Sequence, residues 1–271
     1  LTLQKQGQAL SATGDIHRAD ISVPEFMQAN LGKKTDIPNQ FRHFSGSARM
    51  AWKNKQITLS DLKTEVNGVR TTGSVTADFG RQKPDFEFSI RMAELDFSRL
   101  TGQKTGTGSK TGIPGGSQKS WNFSAMKDFS AKGTLSAGSA VFGKITIRDL
   151  QCPLHLSDGR LTVSGLTGDF YGGTLSLNGH AVFDKGVSFG GQMAVRKFSL
   201  GDVMRAFGAT SLITGQAALS ADVTGSMSGP DQLTSGLNGT AHFTSGQGSF
   251  QSVDKEGKPK GRPTVFRESS G

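Results

Sequence analysis

The chain is written in short apolar–polar alternations. Met50 and Trp52, Ile57 and Leu59, Phe86 and Phe88, Ile90 and Met92, and Ile145 and Ile147 are each separated by one polar or small residue. Leu161 and Val163, Leu175 and Leu177, Val187 and Phe189, and Met193 and Val195 continue the pattern. A period of two sends successive side chains to opposite faces of a strand, so these runs predict antiparallel sheet with one apolar and one wet face. Asn67-Gly68, Asp158-Gly159 and Asn178-Gly179 lie between runs. Such pairs accept the positive φ of a tight hairpin turn, which predicts hairpins in series.

Three segments interrupt the alternation with one shared spacing: Ile21-x-Val23-x-x-Phe26, Leu95-x-Phe97-x-x-Leu100 and Phe198-x-Leu200-x-x-Val203. The period there is helical, and Ser22, Asp96 and Ser199 stand where a side-chain oxygen caps the first free amides. Ser22 with Glu25 and Ser199 with Asp202 resemble capping boxes, while Pro24 and Gly32 bracket the first segment. The spacing predicts three short helices, each following a strand.

Larger units echo one another. Asn67-Gly68 through Gly73 to Leu95 lines up with Tyr171-Gly172 through Gly179 to Phe198, and Ile57-x-Leu59-x-Asp61-Leu62 with Ile145-x-Ile147-x-Asp149-Leu150. Phe41-Arg42-His43-Phe44-Ser45-Gly46 is echoed by Phe266-Arg267-Glu268-Ser269-Ser270-Gly271. The echoes divide the chain into a first β unit over 1–100, a linker or loop over 101–120 rich in Gly, Ser, Thr and Lys, and a second β unit over 121–250. Residues 251–271 are expected to form a loop, charged and poor in apolar residues over 251–265, and the start of a further unit. A chain that opens and closes in mid-pattern is expected to be a piece of a longer protein.

Composition narrows the function classes. The AVILMFWYC set makes up only 34% of the 271 residues while Gly numbers 37, so apolar residues are spread over many short elements rather than a few long ones. With one cysteine, Cys152, neither an intramolecular disulfide nor a cysteine-based metal cluster is available, and Cys152 is expected to be a small strand residue. The five histidines, His17, His43, His155, His180 and His242, stand at no metal-ligand spacing. No Gly-x-Ser-x-Gly elbow supports a nucleophile, and the glycines from Gly102 to Gly116 lack the strand and helix of a phosphate loop. No catalytic residue, metal or cofactor is therefore expected. A net charge of +9 favours anionic surfaces, but Lys and Arg are scattered rather than interleaved with aromatics, which argues against nucleic acid. One Tyr and two Trp cannot form the girdles of an outer-membrane barrel, and no apolar run is long enough for a spanning helix.

Phe170-Tyr171-Gly172-Gly173-Thr174-Leu175 and Met92-Ala93-Glu94-Leu95-Asp96-Phe97-Ser98-Arg99-Leu100 resemble, in order and spacing, the strand entry and strand-then-helix of the AsmA family's carboxy-terminal region. Ile213-Thr214-Gly215-Gln216-Ala217, Leu237-Asn238-Gly239-Thr240 and Thr264-Val265-Phe266 extend the resemblance. Phe170 stands where the family more often has Leu, and Val265 where it has Asp. The resemblance implies a mainly β fold of repeated antiparallel hairpin units forming a curved open sheet or groove. It also implies a periplasmic location with an inner-membrane anchor outside this chain, and a role in outer-membrane biogenesis and homeostasis through phospholipid transport between membranes.

On that reading the groove residues are Phe86, Phe88, Ile90, Met92, Leu175, Leu177, Phe189, Met193 and Val195, and the head-group candidates are Arg91, Arg196 and Lys197. Alternation alone favours an ordinary sandwich core, and only the resemblance brings the lipid reading level with it; basic residues at strand edges are equally explained by solvation. Expected partners are phospholipid or another envelope lipid, membranes through regions outside this chain, and other envelope proteins. The competing function is an envelope scaffold or protein-interaction module that binds no lipid; a secreted β-solenoid adhesin is disfavoured by the interposed helices.

Overall fold

The computed structural model describes residues 2–6, 9–22, 43–66, 68–96, 124–184, 186–209, 212–227, 236–254, 256, 258–267 and 269–270. The expected linker at 101–120, most of the first helix segment and residues 97–100 of the second lie outside them; Ile21 with Ser22 and Leu95 with Asp96 close strands. The first unit contributes β1 (Thr2–Gln6), β2 (Ala9–Ser22), β3 (His43–Lys53), β4 (Gln56–Val66), β5 (Val69–Asp78) and β6 (Asp85–Asp96). The second contributes β7 (Ser130–Phe142), β8 (Ile145–Ser157), β9 (Arg160–Phe170), β10 (Gly173–Phe183), β11 (Val187–Ser199), a helix α1 (Leu200–Ala206), β12 (Leu212–Thr214), β13 (Gln216–Met227) and β14 (Leu237–Ser245). β15 (Gly248–Val253), β16 (Pro259–Phe266) and β17 (Ser269–Ser270) follow.

Fourteen strands form one open sheet, in the order β1 through β11, then β13, β14 and β17; β12, β15 and β16 form a small separate sheet. The two sequence units therefore share one sheet. They join at β6 and β7, the one parallel pair, while every other described pair is antiparallel. A parallel pair needs a connection of about a dozen residues or more, and the stretch between Asp96 and Ser130 exceeds that. Hairpins in series hold on either side of this seam.

The sequence echoes have a backbone cause. Asp61 (φ 51°) and Asp149 (φ 48°) both adopt the left-handed conformation at a register shift, so the repeated Asp-Leu marks the same β-bulge in each unit. Gly68 (φ 79°) and Gly172 (φ 80°) close equivalent hairpins, and Asp158 with Gly159 (φ 50° and 74°) makes the expected turn. Of the two echoed stretches, the described residues both enter the large sheet: His43 opens β3 against β2, and Ser269–Ser270 form β17 against β14.

Two expectations are corrected. Asn178-Gly179 is no turn but lies inside β10 beside a bulge in β9, and Asn178 Oδ1 accepts a 2.6 Å hydrogen bond from the Gly165 amide. A side chain that serves a bulge backbone has the same composition signal as one that closes a hairpin. Residues 251–253 and 259–265 are strand rather than loop: β15 and β16 pair, and between them Asp254 Oδ1 accepts from the Glu256 and Lys258 amides. The stretch is poor in apolar residues because β16 is an exposed edge strand.

The third helix segment forms as expected. Ser199 is extended and its Oγ accepts from the Asp202 amide at 3.2 Å, so α1 starts at Leu200. Leu200 and Val203 pack onto a cluster formed by Leu95, Ala137, Ala140, Ile147, Leu150, Leu175, Val195, Phe198 and Ala217. The core is thus gathered at one end of the strands, where β6 and β7 finish and β11 turns into α1.

Candidate functional site

Side chains directly opposite one another on paired strands project from the same face, so the register identifies the faces of the large sheet. Phe86 lies beside Ala131; Ala131 is opposite Leu156, Leu156 opposite Leu161, Leu161 opposite Ala181, and Ala181 opposite Phe189. Phe88, Ile90 and Met92 follow Phe86 on that face, Leu175 and Leu177 share it on β10, and Met193 and Val195 on β11. All nine residues singled out from the alternation are therefore brought onto one face. The same face continues through Val75, Leu59 and Met50 in one direction and through Leu219 and Phe243 in the other.

Burial divides the nine. Leu175 and Val195 are 5% and 3% exposed, inside the cluster beside α1, whereas the other seven are only partly buried. Among the described residues no second sheet lies across the face; the strands meet their hydrogen-bonded neighbours, and α1 closes one end. Two of the aromatics are spread over glycines of adjacent strands. A Cβ on Gly133 would come within 2.7 Å of Phe88 Cγ, and one on Gly225 within 2.9 Å of Phe189 Cε1. The rings thus flatten onto backbone, and the missing Cβ atoms are what give them room. Phe86 stacks edge-on against Phe79 and Phe129, with centroids 6.2 and 5.7 Å apart.

The opposite face is polar. Lys132 pairs with Glu87 at 2.7 Å, and this partner raises the lysine pKa. At the strand ends away from α1, Lys127 pairs with Asp184 at 2.7 Å and Arg81 with Asp85 at 2.8 Å, while Lys83 pairs with Asp158 and holds its carboxyl below the usual range. A hollow of 420 Å³ lined by Arg81, Lys83, Asp85, Lys132 and His155 lies there, but its Lys and Arg side chains are already neutralised by carboxylates. Among the described residues no three His, Cys, Asp or Glu side chains are gathered as metal ligands.

Two of the three basic candidates are not brought to the apolar face. Arg91 is in register with Thr72 and Ser136, and Arg196 with Thr174, so both project from the polar side; Lys197 occupies a bulge at φ 56°. Strand-edge position in sequence does not distinguish the faces when a bulge intervenes. Conversely, the list from sequence missed Leu135, Cys152, Leu154 and Leu156, which stand on the same face. Their signal was the same alternation, weaker because Ala131, Gly133 and Ala137 fill the partner positions on β7. Cys152 is a buried strand residue, and desolvation pushes its thiol pKa up.

An open, repeated β-sheet of one layer with one continuous apolar face defines a β-groove module. The AsmA family model matches residues 29–256, and the chain belongs to the AsmA family. Comparison with characterised proteins and with solved structures gives no match. Family membership places the chain among envelope-associated proteins with an outer-membrane-related role. Among the described residues no helix is long and apolar enough to cross a membrane.

Proposed function

We propose that this chain is a non-enzymatic periplasmic segment of a protein anchored in the inner membrane outside these residues, and that its apolar face accommodates phospholipid acyl chains for transport between membranes. One observation carries the reading: nine alternating apolar residues from three strands share a face, and seven of them remain partly open to solvent. An apolar face of this extent that the described residues leave uncovered calls for an occupant. Acyl chains suit it because each buried methylene contributes about 0.8 kcal/mol without needing a directional partner. The polar reverse face, with its exposed ion pairs, suits an aqueous compartment.

The test is native mass spectrometry with lipid extraction on the purified chain and on Phe88→Asp. Phe88 is only partly buried, so the new carboxylate reaches water in the lipid-free protein, and the variant is first shown by circular dichroism to remain folded. Phospholipid carried by the wild type and lost from the folded variant is the expected result; lipid-free wild type with intact β structure refutes the reading. A second reading, an envelope scaffold without lipid, draws support from β14, which pairs along its whole length with β13 but meets β17 only at Thr244 and Ser245. Such an edge can accept a strand from a protein partner.

A further inference from the structure

The small sheet is built from the continuations of strands that belong to the large one. β12 runs into β13 through Gly215, β14 into β15 through residues 246–247, and β16 into β17 through residues 267–268. Its order, β12-β15-β16, repeats the order β13-β14-β17. A fourth crossing lies beside these, where β11 passes into α1 at Ser199 and the Leu200 amide donates to the Gly215 carbonyl at 3.1 Å. The Gly246 amide donates to the Gln216 carbonyl at 2.8 Å, so the crossings form one line over four neighbouring strands. Two residues separate Thr214 from Ala217 on this line, but three separate their partners Ser249 and Ser245. The extra residue is a bulge, and Gly215 meets it at φ 118°, a conformation that favours glycine.

Burial stops at the same line. Phe198 on β11, Ala217 on β13 and Ser245 on β14, all next to a crossing on the large-sheet side, are 6%, 4% and 6% exposed. Beyond the line none of the described residues of 200–215 and 246–267 is buried. Five of the eight exposed large hydrophobics of the described chain, Met204, Phe207, Leu212, Phe250 and Val265, lie there. These residues form a lobe that coheres through its backbone and close contacts rather than through a core. Within it α1 sits on β12, where a Cβ on Gly201 would strike the Ile213 carbonyl, and the Phe266 ring lies against Gly248. Against the large sheet the lobe sets Leu200 and Val203 of α1, both only partly buried, on the cluster that holds Leu175 and Val195. The exposed Lys144 Nζ adds a 3.2 Å hydrogen bond to the Phe207 carbonyl. A rigid corner would be packed on both sides, whereas here packing ends at the bend, and an element with few buried contacts opens at lower free energy than the core it borders.

We propose that this lobe is a flap hinged on the line through Ser199, Gly215 and Gly246, which lifts α1 from Leu175 and Val195 without unfolding the large sheet and then recloses. Leu175 and Val195 belong to the apolar face, so lifting carries the open face to the strand ends on that side and gives an acyl chain a way in or out at the rim. The gating role rests on the lipid reading above; the hinged opening does not.

The experiment is hydrogen exchange of the full chain read by mass spectrometry, on the wild type and on Leu200→Ala with Val203→Ala. The hydrogen-bonded amides of α1 and of β15, which is paired on both sides, should exchange at least about tenfold faster than those of β8, β9 and β10. The variant should speed α1 and β15 together by roughly another tenfold, although neither substitution lies on β15, and leave β8 and β9 unchanged as evidence that the large sheet is folded. Lobe amides that exchange in step with β8, β9 and β10 would overturn the proposal, because the lobe would then open only with the whole sheet. Acceleration confined to α1 would mean a fraying helix and would overturn it as well. For the gate, the protein is loaded with a fluorescent phosphatidylethanolamine and transfer to phosphatidylcholine vesicles is timed. Transfer several-fold faster from the variant at equal loading is expected, and equal rates despite a faster-exchanging lobe would refute the gating role. A wild type that takes up no lipid while its lobe exchanges early refutes the groove reading and the gate with it, and upholds the hinge.

Discussion

Leu175 and Leu177 are the same residue type on the same face of β10, two positions apart, and they offer the sharpest test of an open face. Leu175 is 5% exposed and packed in the cluster beneath α1; Leu177 is partly exposed and lies outside that cluster. Leu→Ala in a closed core costs about 2–5 kcal/mol, transfer and cavity together. At Leu177 the neighbouring water fills the space, no cavity remains, and only part of the transfer term is lost, so about 1 kcal/mol is expected. The assay is urea denaturation of both variants followed by circular dichroism, with the slope against denaturant checked for constancy. Leu175→Ala should lower stability by at least about 1 kcal/mol more than Leu177→Ala. Equal losses would refute the reasoning, because they would mean that Leu177 is covered in solution by something as dry as the cluster under α1. Phospholipid added back should leave the Leu175 effect unchanged and enlarge that at Leu177, since an acyl chain would turn its water-filled space into a cavity.

Two further outcomes follow from backbone and burial. Asp149 stands at φ 48°, a conformation that a β-branched residue tolerates poorly, so Asp149→Val should cost about 1–2 kcal/mol and Asp149→Gly should be close to neutral, as read from thermal midpoints. The Cys152 thiol has its pKa raised by burial, so the folded state keeps it protonated where the unfolded chain ionises it. Its contribution is complete below the unfolded thiol pKa and declines as pH rises above that value. Alkylation by iodoacetamide at mildly alkaline pH should therefore be slow in the native protein and fast in denaturant; equal rates would sink the assignment of Cys152 to a covered strand position.

Much of this fold was legible in the residues. Alternation identified the strands because a pleated chain sends side chains to two faces, and Ser199 with Leu200 and Val203 located α1 because a cap and a helical spacing are local properties. The echo of Asp61-Leu62 in Asp149-Leu150 was visible before its cause, a left-handed aspartate at a bulge. Asn178-Gly179 misled because Asn and Gly serve bulges as readily as turns, and 251–265 because an exposed edge strand has the composition of a loop.

By itself the sequence determined the strand-rich class, the unit repeat and which residues of each strand are apolar. Tertiary structure alone decided which strands are neighbours: the parallel seam between β6 and β7 merges two units into one sheet, and register across fourteen strands places nine dispersed residues on one surface. It also decided which of them are closed off, since α1 covers Leu175 and Val195 but does not reach Leu177 or Phe88. The same registers moved Arg91 and Arg196 to the polar side. The physical reason is that alternation states only that two faces differ, whereas what a face meets depends on contacts between residues far apart in the chain.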